Sequence, residues 1–386
     1  MVSSLTCPNH RPSVGGTRLL RHRYSGLIAL CASLLLGCEQ PPPLTIGVLV
    51  DATGANSRQG IASRNGAQLA IEQTNANGGV NGQPIVPLFM DDRSTPMTAQ
   101  QALDALIQRK VEAVIGPNSS TLALQLVPQA TQAGVLLISS SAISPLLAGR
   151  DDQFFRILSH TSPDAKSLAQ HVQQDLGLTR VSAIVEQSNS AYTEPWLSDF
   201  NRYLQAAGGT PVQPLRFTRD DNTDYVALAL KVLAEQPQLV VLVCNSNDAT
   251  LLASQLRQRQ PDLTLAAASW ATAALPELAG NSVKGLIAPQ IFDLQDTSAT
   301  FMALKNAYEQ RFKTPINTIA ILNYNASNVL IQALRQRQAD ESLKQTLLRI
   351  RRFQGVQQPI SFDDFGDVDT STRLKMIDAG QFIDVK

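Results

Sequence analysis

The sequence predicts an α/β fold of two lobes, each built on an open parallel sheet. Three features carry that expectation. Apolar, β-branched runs of strand length alternate with segments of helical spacing. The alternation recurs too often for one comfortable sheet. Several strands also end in Asn, Ser or Asp, at the edge where parallel sheets present their ligand-binding loops.

The first run, Leu44–Val50, suits a strand buried on both faces. Gly60–Asn75 follows, with Ile61, Ala67, Leu69, Ala70 and Ile71 at helical spacing. The stretch Asn77-Gly78-Gly79-Val80-Asn81-Gly82 stops that helix, because glycine supplies left-handed conformations at a C-terminal cap. Ile85–Met90 reads as a strand, Thr98–Gln108 as a helix, and Ala113–Ile115 as a strand. Thr121–Ala133 is a helix and Val135–Ile138 a strand. The order continues with strands at Val181–Val185, Leu239–Val243 and Leu263–Ala267 and helices at Glu194–Ala206 and Ala249–Arg259. Ser298–Phe312, Ile319–Arg337 and Leu343–Ile350 close the series as helices. Crossings between the lobes are expected near Arg156–Ser159, Ala288–Gln290 and Gln358–Ser361. The lobes would then comprise residues 44–157 with 290–358, and 158–289 with 359–386. An internal echo links Val111–Ser120 to Leu239–Asn247: each is an apolar strand leading into Asn-Ser and a helix. Asn and Ser cap such helices, and a helix N-terminus is also an anion site.

The N-terminus reads as an address. Arg11, Arg18, Arg21 and Arg23 precede an apolar stretch from Leu27 to Leu36, too short to span a bilayer. Leu35-Leu36-Gly37-Cys38 resembles a bacterial lipobox, which implies removal of residues 1–37 and acylation of Cys38. Residues 38–43, with Pro41-Pro42-Pro43, form a short stiff tether. The leader holds four of the 32 basic residues and no acid, so the remainder carries 28 against 32 and a net charge of −4. That balance argues against nucleic acid, whose phosphates need an excess of Lys and Arg. Cys7 and Cys31 would leave with the leader, and Cys244 would then have no partner for an intramolecular disulfide.

Particular segments carry a resemblance. They are Ile46–Leu49 with Thr53-Gly54, Asn65-Gly66-Ala67, Asn75–Pro84 (NANGGVNGQP), Asp91-Asp92, Val114-Ile115-Gly116-Pro117 with Ser119-Ser120, and Ala133–Ser139 (AGVLLIS). Together they resemble the leucine/isoleucine/valine-type periplasmic solute-binding proteins, the receptors of amino-acid ABC transporters. The resemblance implies a type I periplasmic binding protein: two Rossmann-like lobes, joined by a three-crossing hinge, that close on a ligand. It implies an ABC permease as partner, a monomer, a periplasmic location, no cofactor and no catalysis. By position, Ser120 matches the serine that holds a ligand carboxylate, with Ser119 beside it. Ser141 matches a backbone-carbonyl contact and Tyr192 a second-lobe tyrosine. Asn247 and Asp248 lie near another contact position. Two departures stand out. Ile143 replaces a hydroxyl residue, and the acidic residue that pairs with ligand ammonium falls among Ala268, Ser269 and Trp270, none of them charged. Asp51, Glu186 or Asp248 would have to substitute, or the ligand has no α-ammonium group. Asp51 ends the first strand, where it points at the cleft or forms the turn before Ala-Thr-Gly. Trp270 is placed to line the cleft, whereas Trp196 reads as packing.

Enzymatic readings find little support. His160 and His171 lack a metal-ligand spacing, and there is no nucleophile elbow. A sensory lipoprotein of the same fold, a receptor for an amide, urea or simple carboxylate, and a structural lipoprotein with a vestigial cleft remain as alternatives.

Overall fold

The computed structural model describes residues 6, 42–275, 278 and 280–385. The expected leader, the acylation site Cys38 and tether residues 38–41 lie outside them. Strand β1 (Leu44–Val50) is buried at every position but Thr45. It pairs in parallel with β2 (Ile85–Asp91), from Leu44 opposite Ile85 to Val50 opposite Asp91. On its other side lie β3 (Ala113–Ile115), β4 (Leu136–Ser139) and β5 (Phe154–Arg156), giving the order β2-β1-β3-β4-β5. Burial on both faces is why β1, β3 and β4 read as continuous apolar runs and do not alternate.

Helices α1 (Ser57–Ala76), α2 (Pro96–Gln108) and α3 (Ser120–Ala133) connect these strands. The glycine stop acts as expected: Gly78 and Gly79 take φ of +88° and +76°, and the Gly79 N–H bonds to the Thr74 carbonyl at 2.9 Å. Ser119 caps α3, its hydroxyl accepting from the Leu122 N–H, and Gly134 ends the helix at φ +69°.

The chain leaves the first sheet after β5 and enters α4 (Ser162–Gln170). Strand β6 (Val181–Glu186), α5 (Ser190–Ala206), β7 (Pro214–Phe217), α6 (Tyr225–Leu233), β8 (Leu239–Val243), α7 (Ser246–Arg259), β9 (Thr264–Ala267) and β10 (Ile287–Gln290) follow. These strands are mutually parallel. Residues 288–290, expected at a crossing, are strand residues, so the second passage starts after Gln290. The chain then returns through α8 (Ala299–Phe312), α9 (Thr318–Gln336) and α10 (Leu343–Ile350), with α9 packed along α1. A short ladder of β11 (Arg352–Phe353) on β12 (Ile360–Ser361) precedes the third passage, which lies at 362–372.

The tail adds what the sequence reading omitted. Strand β13 (Arg373–Asp378) pairs antiparallel with β10, and β14 (Gln381–Asp384) pairs antiparallel with β13. The second sheet therefore runs β14-β13-β10-β9-β8-β6-β7 and is mixed at one edge.

Trp196 on α5 is packing, as its helical setting predicted. It is fully buried and stacks on Phe200 with centroids 5.3 Å apart and planes 10° from parallel. Trp196→Ala should cost about 3–5 kcal/mol in urea unfolding, the usual range for truncating a buried tryptophan. A loss below about 1 kcal/mol would mean that the site collapses around the gap.

Candidate functional site

Three strand ends of the first sheet converge on one place: β1 delivers Asp51, β2 delivers Asp92, and β3 delivers Asn118 and Ser119. The loop after β4 adds Ser141 and Ile143. These residues wall a cavity of about 130 Å³. The opposite wall is built by Ser188, Asn189 and Tyr192 at the start of α5 and by Ser269, Trp270 and Thr272 after β9. That volume is in the size class of a cavity that takes one small molecule. Leu122, Leu158, Ile291, Ile319 and Leu322 supply apolar surface.

Five of the eight residues predicted to bind ligand meet here: Asp51, Ser119, Ser141, Tyr192 and Trp270. Ser120, Asn247 and Asp248 do not line the cavity. Ser120 is fully buried behind Ser119, and its hydroxyl accepts from the Ser144 N–H at 3.1 Å. The helix start explains the offset. Ser119 is the N-cap, outside the first turn and facing the cleft, and Ser120 is already the first helical residue. Asp248 is consumed structurally: its oxygens accept from the Tyr225 hydroxyl at 2.7 Å and the Asn245 amide at 2.8 Å, with Arg219 at 3.4 Å. Burial nonetheless raises its pKa.

Asp51 lines the cavity while holding its own turn. One carboxylate oxygen accepts from the Gly54 N–H at 2.5 Å, the other from the Asn56 N–H at 2.7 Å and the Ser94 hydroxyl at 2.5 Å. Glu186, the other suggested substitute, accepts from the backbone N–H and the hydroxyl of Ser188. Among the described residues, no acidic residue of the second lobe lines the cavity.

Tyr192 and Trp270 form one aromatic wall, edge to face at 5.7 Å. The Trp270 N–H lies 3.2 Å from the Tyr192 oxygen, as does the Ser269 hydroxyl. Burial pushes the Tyr192 hydroxyl above its ordinary range, so it stays a neutral donor–acceptor. Beneath it Asp164 is buried, and that burial raises its pKa to about 6 against the opposing Ser269 and Thr372 hydroxyls.

Sequence reading missed several lining groups. Asn118 organises two strand ends: its amide donates to Ser63 at 2.7 Å, its side-chain oxygen accepts from Ser140 at 2.8 Å, and its carbonyl accepts from Ser141 at 3.2 Å. Asn189 reaches across the cleft, where its oxygen accepts from the Thr121 N–H and the Ser119 hydroxyl, both at 3.1 Å. Gln59 donates to Ser246 at 3.2 Å, and Arg219 donates to the Ala55 carbonyl at 2.6 Å. These bonds hold the lobes together around the cavity. The position of Asp92 at a strand end was the signal that could have found it.

Among the described residues no group of three His, Cys, Asp or Glu side chains could hold a metal ion. Cys244 is buried, and burial pushes its thiol up, which opposes the thiolate that nucleophilic chemistry needs.

Comparison with known proteins bears on the family and the fold. The chain is similar to Leu/Ile/Val-binding protein BraC3 of Rhizobium johnstonii, with 27% identity over 237 residues, 61% of this chain and 64% of that protein. It thus spans just under two thirds of that relative's length. Similarity to the leucine-, isoleucine-, valine-, threonine- and alanine-binding protein of Pseudomonas aeruginosa is 23% over 359 residues, covering 92% of this chain and 94% of the relative. In fold it resembles the branched-chain amino acid transporter substrate-binding protein LivJ from Streptococcus pneumoniae, solved with isoleucine. The TM-score is 0.80 at 24% identity, over 88% of this chain and 97% of that one. The two-lobed α/β architecture is therefore that of the type I periplasmic binding proteins. Residues 43–381 match the family described as periplasmic binding protein, and the chain belongs to it.

Proposed function

We propose that the protein is an extracytoplasmic receptor that closes two lobes over an amino acid or related small polar ligand and delivers it to an ABC permease. An acyl chain on Cys38 would hold the receptor to a membrane. The observation that supports this reading best is the cavity itself. It lies between the ends of the parallel strands of two sheets, and both walls offer hydroxyls and amides (Ser119, Asn118, Ser141, Asn189, Ser269). Capture needs no bond chemistry: polar strand ends orient the solute and closure excludes water.

A second reading, a carboxylate or amide ligand without an α-ammonium group, is favoured by the lack of any acid among the described residues of the second-lobe wall.

Ligand binding to the folded state raises the melting temperature by mass action. A thermal-shift panel of amino acids, amides, urea and simple carboxylates should therefore give a subset of stabilising compounds. Stabilisation by none of them would sink the receptor reading. Stabilisation by neutral amides alone would remove the carboxylate assignment. Ser119→Ala should weaken binding by about 1–2 kcal/mol in titration calorimetry. Ser120→Ala should act on stability through the Ser144 N–H it leaves unpaired.

A further inference from the structure

We propose that the cavity takes a ligand whose cationic group lies several bonds from its carboxylate, with the cation held by Asp92 and Asn56 at the β2 end of the first-lobe wall. This inference rests on the receptor reading and specifies its ligand.

Among the described residues the cavity wall has two carboxylates, Asp51 and Asp92, and no Lys, Arg or His. Asp51 is engaged by its own turn and contributes its field. Asp92 is different. It is 2% exposed, and the Ser94 N–H at 2.8 Å is its hydrogen-bond donor. Among the described residues it has no ion-pair partner. Next to it, the Asn56 side-chain oxygen is buried with no hydrogen-bond partner, because the Asn56 amide nitrogen turns to Ser94 at 3.0 Å. A buried carboxylate without a cation, beside an unpaired acceptor, is costly unless a donor-rich positive group arrives. An ammonium brings three donors and a guanidinium five.

The opposite end is chemically complementary. Ser63 on α1 accepts from the amides of Asn118 at 2.7 Å and Asn323 at 3.0 Å. Both lone pairs are thereby used, and its proton is left to donate. This donor end sits at the tip of β3, and the acceptor end at the tip of β2. The two strands flank β1, so their tips are two strand spacings apart, roughly 10 Å. An α-ammonium lies on the carbon next to the carboxylate and cannot bridge that gap. A side-chain ammonium or guanidinium, or the terminal amine of an ω-amino acid, can.

Titration calorimetry on the purified protein at pH 8 tests this with matched pairs: L-lysine against L-norleucine, and 6-aminohexanoate against hexanoate. The cationic member of each pair should bind at least tenfold more tightly. Asp92→Asn should bring both ratios toward one. Equal or tighter binding of norleucine and hexanoate by the unmodified protein would overturn the proposal while leaving the receptor reading intact. Binding of no member of these pairs or of the wider panel would overturn both. Should Asp92→Asn fail to fold, the ratios in the unmodified protein still decide.

Discussion

In the absence of ligand, Asp92→Asn should stabilise the protein at pH 8 and leave it nearly unchanged at pH 4. Burial is the main influence on Asp92 and raises its pKa to about 7, with the negative charges of Asp51 and Asp91 adding to the effect and the Ser94 N–H opposing it. Arg93 does little to relieve this: it is exposed and lies 3.7 Å from Asp91. The folded state thus holds a proton that the unfolded chain releases near its ordinary value of 3.8. Between about pH 4 and pH 7 the folded state binds more protons than the unfolded, so stability falls as pH rises, and the loss is complete above pH 7. A shift of about three pKa units corresponds to roughly 4 kcal/mol. Asparagine keeps the shape and cannot ionise, so the expected gain at pH 8 is about 2–4 kcal/mol. Asp164, raised to about 6 by burial, imposes a slope of the same sign in both proteins, so the informative quantity is the difference between them. Urea titrations at pH 4, 6 and 8 would measure it. A difference that does not grow with pH would mean that Asp92 is solvated or paired. The cost itself has a functional reading, since groups retained against stability cluster where binding needs them.

Most of the frame was legible because burial on both faces leaves an unmistakable trace. The runs at 44–50, 113–115 and 239–243 are continuous and apolar, and each forms the strand expected. Elements at the sheet edges were not legible. Strand β7 holds the partly exposed sequence Pro-Leu-Arg-Phe. Strand β13, second from the edge behind β14, mixes Arg, Lys and Asp with Leu, Met and Ile, and only Ile377 among its residues is fully buried. Helix α6 reads YVALALKVL, apolar nearly all round, so polarity does not separate its buried Ala229 and Val232 from its exposed Val226 and Leu230. The site divided along the same line. Strand ends are predictable places, and Asp51, Ser119 and Ser141 were found there. Ser63, Asn56 and Asn189 matter through the direction they face across a cleft, which depends on how α1 and α5 pack. The register between Ser119 and Ser120 was beyond sequence reasoning for the same reason: it turns on which residue caps the helix.

Gly60→Ala should destabilise the protein by about 3 kcal/mol or more and remove ligand-dependent stabilisation as well. Gly60 lies in the first turn of α1, which sits directly on the end of β1. A Cβ there would fall 1.6 Å from the Asp51 carbonyl oxygen. Both partners are backbone, so no side chain can rotate away, and the helix start must lift off the strand end. Overpacking of this kind typically costs 1–3 kcal/mol, and more when backbone must move. In a chain of this size that corresponds to a fall in melting temperature of roughly 4 °C or more. The functional loss follows from the same displacement. The Asp51 turn positions Asn56 and Ser94, and Gly60 is itself part of the cavity wall. Gly78→Ala provides the contrast. Gly78 sits at φ +88° with nothing within 4 Å of a new Cβ, so its cost is conformational, about 1–2 kcal/mol, and the cavity is untouched. Gly78→Ala should therefore lower the melting temperature modestly while keeping the ligand-induced shift, and Gly60→Ala should lose both. Equal behaviour of the two variants would show that α1 can move off β1 without disturbing the site.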